Sequence, residues 1–190
     1  EGAGRLYCTD DQLNWIMNAA TWSMLSNLQG IPTDCPMRDE RTPCQMDSQA
    51  YEDAALMYFW MPKYYNKWMM DIAGGTGNPD WNGDAVTLPW RLYREYGDRR
   101  FLERWYDAMS KQVESVLKRF PDYICKDGFG DWCAPNDGTW EGYHADYQLV
   151  NSALNIQCLT VMRNAAGVLD KTGESEKFKV RLEAAIKAFN

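Results

Sequence analysis

The sequence is notable first for the catalytic residue types that it lacks. Its 190 residues include a single histidine, His144, and no G-x-S-x-G motif, which leaves little for nucleophilic catalysis of the Ser-His-Asp kind. The six cysteines form no C-x-x-C pair, so neither a structural zinc site nor any other metal is expected. The glycine-rich stretch "GGTGNP" follows a predicted helix rather than a strand, which makes a phosphate loop improbable. No cofactor is therefore expected.

Positive charge and long apolar runs are scarce as well. Lys and Arg number 20 against 27 Asp and Glu, and the net charge of −7 argues against nucleic acid or an anionic membrane as the main partner. No apolar run reaches the roughly 18 residues of a transmembrane helix. The apolar share of 45% is ordinary for a globular protein, and the length suits a single domain or part of a larger one.

The cysteines allow two interpretations. Cys35 with Cys44, and Cys125 with Cys133, occupy predicted loops and could form disulfide bridges. They could equally be free thiols that pack as small apolar side chains. Sequence spacing favours neither alternative.

Apolar periodicity predicts an all-α protein, because no segment alternates with period two for long enough to be a strand. A capping box at Thr9 and Gln12 should start the first helix. Asp98 should cap the fifth, and Pro89 should kink or shorten the fourth. Seven helices are predicted, at about 9–30, 47–60, 62–74, 83–96, 98–120 and 146–169, with a last one carrying an apolar stripe over 178–189.

The predicted helices differ in how their apolar residues are distributed. Helix 146–169 is apolar nearly all round, as an inner helix is, whereas the last helix carries one stripe, as an outer helix does. This difference favours concentric layers over a four-helix bundle. In such a toroid the long loops, 30–46, 74–82 and 121–145, should gather at one end and form a pocket.

These three loops are rich in acids and aromatic residues, which is what a sugar site needs. Cleavage of a glycosidic bond requires one carboxylic acid to protonate the leaving oxygen and a second carboxylate to activate water or attack. Some of these acids also have a purely structural explanation, since Asp47, Asp84 and Asp98 could each serve as a helix cap.

Three motifs resemble one family. "IPTDCPMRDER" resembles V-P-T-D-C-P-Q-R-D-E-R-L-G-W-T-G-D, the signature of the α-L-rhamnosidases of the six-hairpin glycosidase class. "DWNGDAVTLPWRLYREYGDRRFLE" is similar to that family's D-W-G-D-A…P-W…Y…G-D stretch, and "GFGDWCAP" to its G-D-W-x-x-P loop. The motifs occur in the family's order and cover nearly the whole chain.

The resemblance implies an (α/α) six-fold barrel that cleaves terminal α-L-rhamnose with inversion. Glu40 matches the general acid of the family. The other positions that the resemblance places at the sugar are Asp34, Arg38 and Asp47 around its hydroxyls, Asp131 and Trp132 on the G-D-W loop, and Trp81 and Asp84 in the D-W-G-D-A element.

Two departures from the family qualify this expectation. The family's L-G-W-T-G-D is replaced by residues 42–47, "TPCQMD", so that Cys44 stands in place of a Trp; this favours the alternative of a non-catalytic carbohydrate-binding or scaffold relic. The family's general base matches nothing in the chain, and six closed hairpins would need about twelve helices. Residues 1–190 are therefore expected to be the N-terminal portion of one barrel domain. Its expected partners are a carbohydrate substrate and the rest of its own polypeptide, in a periplasmic or secreted location.

Overall fold

The computed structural model of the chain describes residues 4–37, 45–130 and 147–190. Predictions for Arg38, Glu40, Asp131 and Trp132 lie outside these ranges. The described residues contain no strand, only an isolated bridge between Leu28 and Pro32, so the predicted all-α class is confirmed. The helices are α1 (Asp11–Asn27), α2 (Gln45–Tyr58), α3 (Pro62–Ile72), α4 (Asp84–Tyr96), α5 (Arg100–Arg119), α6 (Tyr147–Val168) and α7 (Thr172–Phe189).

The ends of two helices differ from their predicted caps. Asp10, not Thr9, caps α1: its Oδ1 accepts the backbone N–H groups of Gln12 at 2.9 Å and Leu13 at 3.1 Å. A carboxylate accepts these bonds and also favours the positive end of the helix dipole, so the predicted capping box is wrong by one residue. Asp98 precedes the N-cap of α5 by one residue, yet its carboxylate accepts the N–H of Arg100 at 3.0 Å.

Pro89 lies inside α4 without ending it. The helix continues to Tyr96, where Gly97 closes it with a φ of 68°. Proline cannot donate a hydrogen bond to the carbonyl four residues earlier, and in a helix interior this is normally disruptive. Here most of α4 is buried, so packing on its neighbours maintains the helix. Of the two predicted effects of Pro89, the shortening is wrong and the kink stays a prediction.

The predicted layers are present, with α2, α4 and α6 on the inside. Gln49 of α2 bonds to Thr87 of α4, and one turn further Glu52 bonds to Arg91, so α2 and α4 run parallel. Residues of α4 and α6 line one cleft. Near the start of α4 the Cys158 thiol of α6 lies 3.9 Å from the carbonyl of Gly83, and two turns earlier in α6 Asn151 lies with Asp80 against Gly128. The N-terminal ends of the three inner helices therefore lie at one end of the molecule.

Two apolar clusters meet at α4 and form the core. One packs Met24 of α1 with α2, α3 and the Leu88–Leu92 side of α4. The other packs Val86 with α5, α6 and α7, where Phe178 and Leu182 are buried as the predicted stripe requires. No helix within the described ranges is both long and apolar enough to cross a bilayer.

Helix α1 is the least covered element. Met24 is the one buried residue of α1, while Leu13 remains 50% and Ile16 44% exposed. Trp15 and Trp22, seven residues apart on the same side of the helix, are 69% and 65% exposed. Clustered apolar side chains on a surface usually indicate an interaction site or a tendency to aggregate.

We expect residues 1–190, expressed alone, to self-associate through α1. The double substitution Trp15→Gln and Trp22→Gln should lower this association without lowering the melting temperature, because both side chains are largely exposed. Multi-angle light scattering over a concentration series would measure it. Met70→Gln, at an apolar side chain of α3 that is 64% exposed, is the control and should change association little. A wild-type chain that stays monomeric would contradict the prediction.

Candidate active site

The inner helices bring two predicted site acids to the same end of the molecule. Asp47 lies in the first turn of α2 and borders a cleft of about 430 Å³. The same cleft is lined by Gln49 and Arg91, and by Gln157 of α6. Asp84 is the first residue of α4. Asp34 is exposed in the segment that follows α1. The arrangement leaves an open cleft between parallel helices, lined by polar and apolar side chains and of a size that suits a sugar ring.

Trp81 lies in the loop immediately before α4 and is half-buried. Its ring packs on that of Phe129, with the centroids 5.1 Å apart and the planes at 60°. Phe129 precedes Asp131 by two positions in the chain, so the structure brings together two of the loops that the sequence predicted to share a pocket. Aromatic surfaces of this kind line most small-ligand sites.

Asp84 is completely buried, and its predicted contact with the sugar remains a prediction. It lies within a polar cluster between α2 and α4. Glu52 Oε2 accepts a hydrogen bond from Arg91 at 2.8 Å, Glu52 Oε1 accepts one from the Ser48 hydroxyl at 2.8 Å, and the Arg91 guanidinium lies 3.7 Å from Asp84 Oδ1. The same arginine reaches the exposed Asp53 at 3.2 Å. This position suits Asp84 to supporting the end of α4 from beneath.

The burial of both carboxyl groups favours a single proton shared by Glu52 and Asp84. Asp84 Oδ2 has no hydrogen-bond partner of ordinary geometry among the described residues, while the Glu52 carboxyl group and the Trp68 indole both lie near the Asp84 carboxyl group. Burial, and next the charge of Glu52, raises the pKa of Asp84 well above its usual range. Burial also raises the pKa of Glu52, against the opposing effect of Arg91. With Asp84 protonated and donating to Glu52, one negative charge remains, and the guanidinium balances it.

The buried thiols are poor candidates for catalysis. Burial raises the pKa of Cys125 and of Cys158 to about 12, so neither forms a thiolate near neutral pH. Cys125 is a free buried thiol, which favours the unbridged alternative at that position. The predicted partner of Cys35, Cys44, lies outside the described residues.

Sequence reasoning missed the residues that hold the site from beneath. Glu52 belongs to no motif, and Arg91 lies in the second motif stretch at a position to which the resemblance assigns no role. Their meeting across 39 positions is a tertiary event. Asp80 is one of several acids in the predicted loops, and the resemblance assigns it no role. The one available signal was the placement of charged residues inside helices whose neighbours are apolar, because a charge on a buried face requires a partner.

Parallel inner helices covered by an outer layer, with acids and aromatic residues at the ends where the inner helices begin, define a domain of the six-hairpin glycosidase class. The chain belongs to the family described as bacterial alpha-L-rhamnosidase 6 hairpin glycosidase domain, which it matches over residues 1–190. This confirms the family and the barrel class that the three motifs predicted.

Individual relatives are similar over most of the chain. An alpha-L-rhamnosidase of Formosa agariphila is 28% identical over an aligned length of 222 residues. The match covers 98% of this chain and 23% of that protein. An alpha-L-rhamnosidase of Streptomyces avermitilis is 27% identical over 166 residues, which cover 74% of this chain and 16% of that protein. The chain thus spans less than a quarter of the length of these relatives.

Solved structures agree with the fold. The alpha-L-rhamnosidase from Dictyoglumus thermophilum superposes with a TM-score of 0.90 at 30% identity, covering 100% of this chain and 23% of that one. A second structure, alpha-L-rhamnosidase from Streptomyces avermitilis complexed with L-rhamnose, superposes with a TM-score of 0.86 at 23% identity, covering 96% of this chain and 19% of that one. The second likeness supports the fold alone.

The shared proton predicts how stability depends on pH. Because the pKa of Asp84 is raised in the folded state, the folded protein keeps a proton that the unfolded chain releases above a pH of about 4. The contribution of Asp84 to the free energy of unfolding is therefore greatest below that pH, and it falls as the pH rises towards the folded pKa of Asp84. Asp84→Asn, which keeps a donor without the charge, should flatten this decline. Thermal melting of the intact protein from pH 5 to pH 8 would measure it.

A substitution of Arg91 serves as the comparison for Asp84→Asn. Arg91→Met should leave a buried carboxylate without its counter-charge and cost about 3–5 kcal/mol. Arg94→Met, at an exposed arginine on the same helix, is the matched control and should stay near wild type. If Asp84→Asn is as destabilising as Arg91→Met at every pH, the assignment of the proton to Asp84 is wrong.

Proposed function

We propose that the intact protein is an inverting glycoside hydrolase that removes terminal α-L-rhamnose, or a related sugar, from glycosides, with Glu40 as the general acid. The observation that carries the proposal is the match to the rhamnosidase domain family over the whole chain, R-D-E-R motif included. Relatives of the chain are named alpha-L-rhamnosidases.

The geometry around α2 supports this role. Glu40 precedes the start of α2 by five positions, and the first turn of α2 carries Asp47 beside the cleft. A general acid must hold its proton until the glycosidic oxygen takes it, while a second carboxylate on the opposite face activates water. We assign Glu40 to the first task and place the second residue outside this chain.

Binding of the sugar falls to the remaining predicted residues. We assign Asp34, Arg38 and Asp47 to the sugar hydroxyls, because carboxylates accept and guanidinium groups donate charge-assisted hydrogen bonds. Trp81, Asp131 and Trp132 complete the pocket wall. Asp84 stays a predicted sugar contact, and from its buried position it also supports the start of α4 through Glu52 and Arg91.

The proposal extends to the architecture of the whole protein. Residues 1–190 form the N-terminal portion of one barrel domain, and later hairpins of the same polypeptide complete the barrel and supply the base. The exposed side of α1 and the short share of the relatives that the chain covers support this. We expect a periplasmic or secreted location.

A non-catalytic carbohydrate-binding or scaffold protein is the second candidate. The replacement at residues 42–47, where Cys44 stands in place of the family's Trp, favours it, because an indole supplies stacking surface that a thiol does not. Retention of Glu40 argues for the hydrolase, because a binding protein has little need of a protonatable acid there. Turnover of an aryl α-L-rhamnoside separates the two.

Glu40→Gln in the intact protein should lower kcat on natural rhamnosides by about 10²–10⁴-fold, the usual contribution of a general acid. The loss should be smaller on an aryl rhamnoside with a good leaving group, which needs less protonation, and the melting temperature should stay unchanged. Steady-state kinetics on both substrate types would measure it. Glu103→Gln, at an exposed glutamate of α5, is the control. Near-normal turnover of Glu40→Gln on natural glycosides would remove Glu40 from this role.

Hydrolysis should invert the configuration at the anomeric carbon. An inverting site leaves room for water, so Glu40 and the base should lie roughly 6.5–9.5 Å apart in the intact enzyme. Proton NMR during the first minutes of turnover, before mutarotation, would identify the first anomer released. Release of α-L-rhamnose as the first product would place the enzyme among retaining glycosidases, with carboxyl groups only about 5–5.5 Å apart.

A further inference from the structure

Asp80 is a fully buried carboxylate that bonds to the backbone of two separate loops. Its Oδ1 accepts the N–H of Trp81 at 2.6 Å. Its Oδ2 accepts the N–H of Phe129 at 2.6 Å and that of Gly130 at 2.9 Å, 49 and 50 positions away in the sequence. We call Asp80 and these three amides the Asp80 anchor. Three N–H donors satisfy a buried negative charge without a cation.

Close packing around Gly128 leaves no room for a side chain beside the Asp80 anchor. Gly128 has a φ of 134°, and a Cβ at that position would lie 2.6 Å from Asp80 Oδ2 and 2.4 Å from Asn151 Nδ2. Asn151, buried at the start of α6, donates to the carbonyl of Asp127 at 2.9 Å. The 127–130 backbone is therefore pressed between Asp80 and α6, and only glycine fits there.

The anchor determines where two aromatic rings lie. It holds the backbone N–H of Trp81 and that of Phe129 on one carboxylate, and the rings of these two residues lie 5.1 Å apart between centroids. Phe129 is 45% exposed, whereas the indole Nε1 of Trp81 is buried. The pair thus presents an apolar ring face at the end of the molecule where α4 begins.

We propose that Asp80 is a positioning residue for the substrate: through the Asp80 anchor it fixes Trp81 and Phe129 as one aromatic wall of the sugar site, and Phe129 contacts the sugar. The inference rests on the proposed function. A pyranose ring has an apolar face that stacks on such a wall, and stacking needs the ring held in place before the sugar arrives. Asp80 and Phe129 both lie in the motif stretches, but the resemblance assigns a contact with the sugar to Trp81 and to neither of them.

The first test is Asp80→Asn in the intact protein. If the asparagine oxygen accepts from the amides of Phe129 and Gly130, its NH₂ group faces the N–H of Trp81 and that hydrogen bond is lost. In the opposite rotamer the hydrogen bonds to Phe129 and Gly130 are lost instead. We expect KM for an aryl α-L-rhamnoside to rise about tenfold, as for the loss of a hydrogen bond to a charged group, with a much smaller change in kcat. A residue that served stability alone would lower the melting temperature and leave KM unchanged, which would overturn the proposal.

A matched pair of glycine variants separates the anchor from general backbone strain. Gly128→Ala disturbs the anchor from its other side and should raise KM as Asp80→Asn does. Gly97→Ala introduces a side chain at a φ of 68° where nothing lies within 4 Å, so it strains the backbone without touching the anchor. It should lower the melting temperature and keep the KM of wild type. Equal effects of the two variants on KM would contradict the role of the anchor.

A double-mutant cycle tests whether Asp80 acts through Phe129. If it does, Phe129→Ala should raise KM by itself, and adding Asp80→Asn should raise it by clearly less than the product of the two single effects. Fully multiplicative effects, or an unchanged KM in Phe129→Ala, would overturn this part of the proposal.

Hydrogen exchange distinguishes failure of this inference from failure of the proposed function, because it needs no turnover. The amides of Phe129 and Gly130 should be protected in the wild-type protein and lose protection in Asp80→Asn, while the helices stay protected. Unprotected wild-type amides would overturn the anchor. Protected amides in a protein that neither hydrolyses nor binds L-rhamnosides would overturn the proposed function, and with it the role of the anchor in substrate positioning.

Discussion

The inner layer depends on the ion pairs that Arg91 of α4 makes with Glu52 of α2 and with Asp84. Arg91 bonds to Glu52 at 2.8 Å and lies 3.7 Å from Asp84, and both carboxyl groups are fully buried. Two ionised carboxylates would be too costly there, so one proton shared between them and one guanidinium make the cluster neutral. Such directional contacts set how far α2 is displaced along α4, whereas apolar packing alone constrains this displacement less strictly.

That axial register matters because both helices begin at the candidate site. The first turn of α2 carries Asp47, and α4 follows directly on Trp81 and carries Asp84 at its start. A slip of one helical turn is about 5.4 Å, and a displacement of about 1 Å can already cost a catalytic group much of its effect. Glu52 and Asp84 are fully buried, whereas Arg91 also lines the cleft beside Asp47, so the cluster connects the register of the two helices to the wall of the site.

Buried polar side chains hold the loops in place by hydrogen bonds to their backbone. Gln112 of α5 accepts the N–H of Thr76 at 2.9 Å and donates to the carbonyl of Asn78 at 2.8 Å. Ser152 accepts the N–H of Cys125 at 3.0 Å. Loop backbone lacks the regular partners of a helix, so each amide that is taken from water needs a side chain. The loops of this domain are thus held by the same helices whose ends they surround.

The sequence by itself determined the helices, the class and the family, since apolar periodicity and the three motifs are local patterns that need no knowledge of contacts. Only the tertiary structure decided that α4 continues through Pro89, that Trp15 and Trp22 lie exposed, and that Asp84 is buried. It also decided that Glu52 meets Arg91 across 39 positions and that Asp80 meets Phe129 across 49. The reason is physical: periodicity reports which face of a helix is apolar, whereas the partner of a buried charge depends on packing between segments that are distant in the chain.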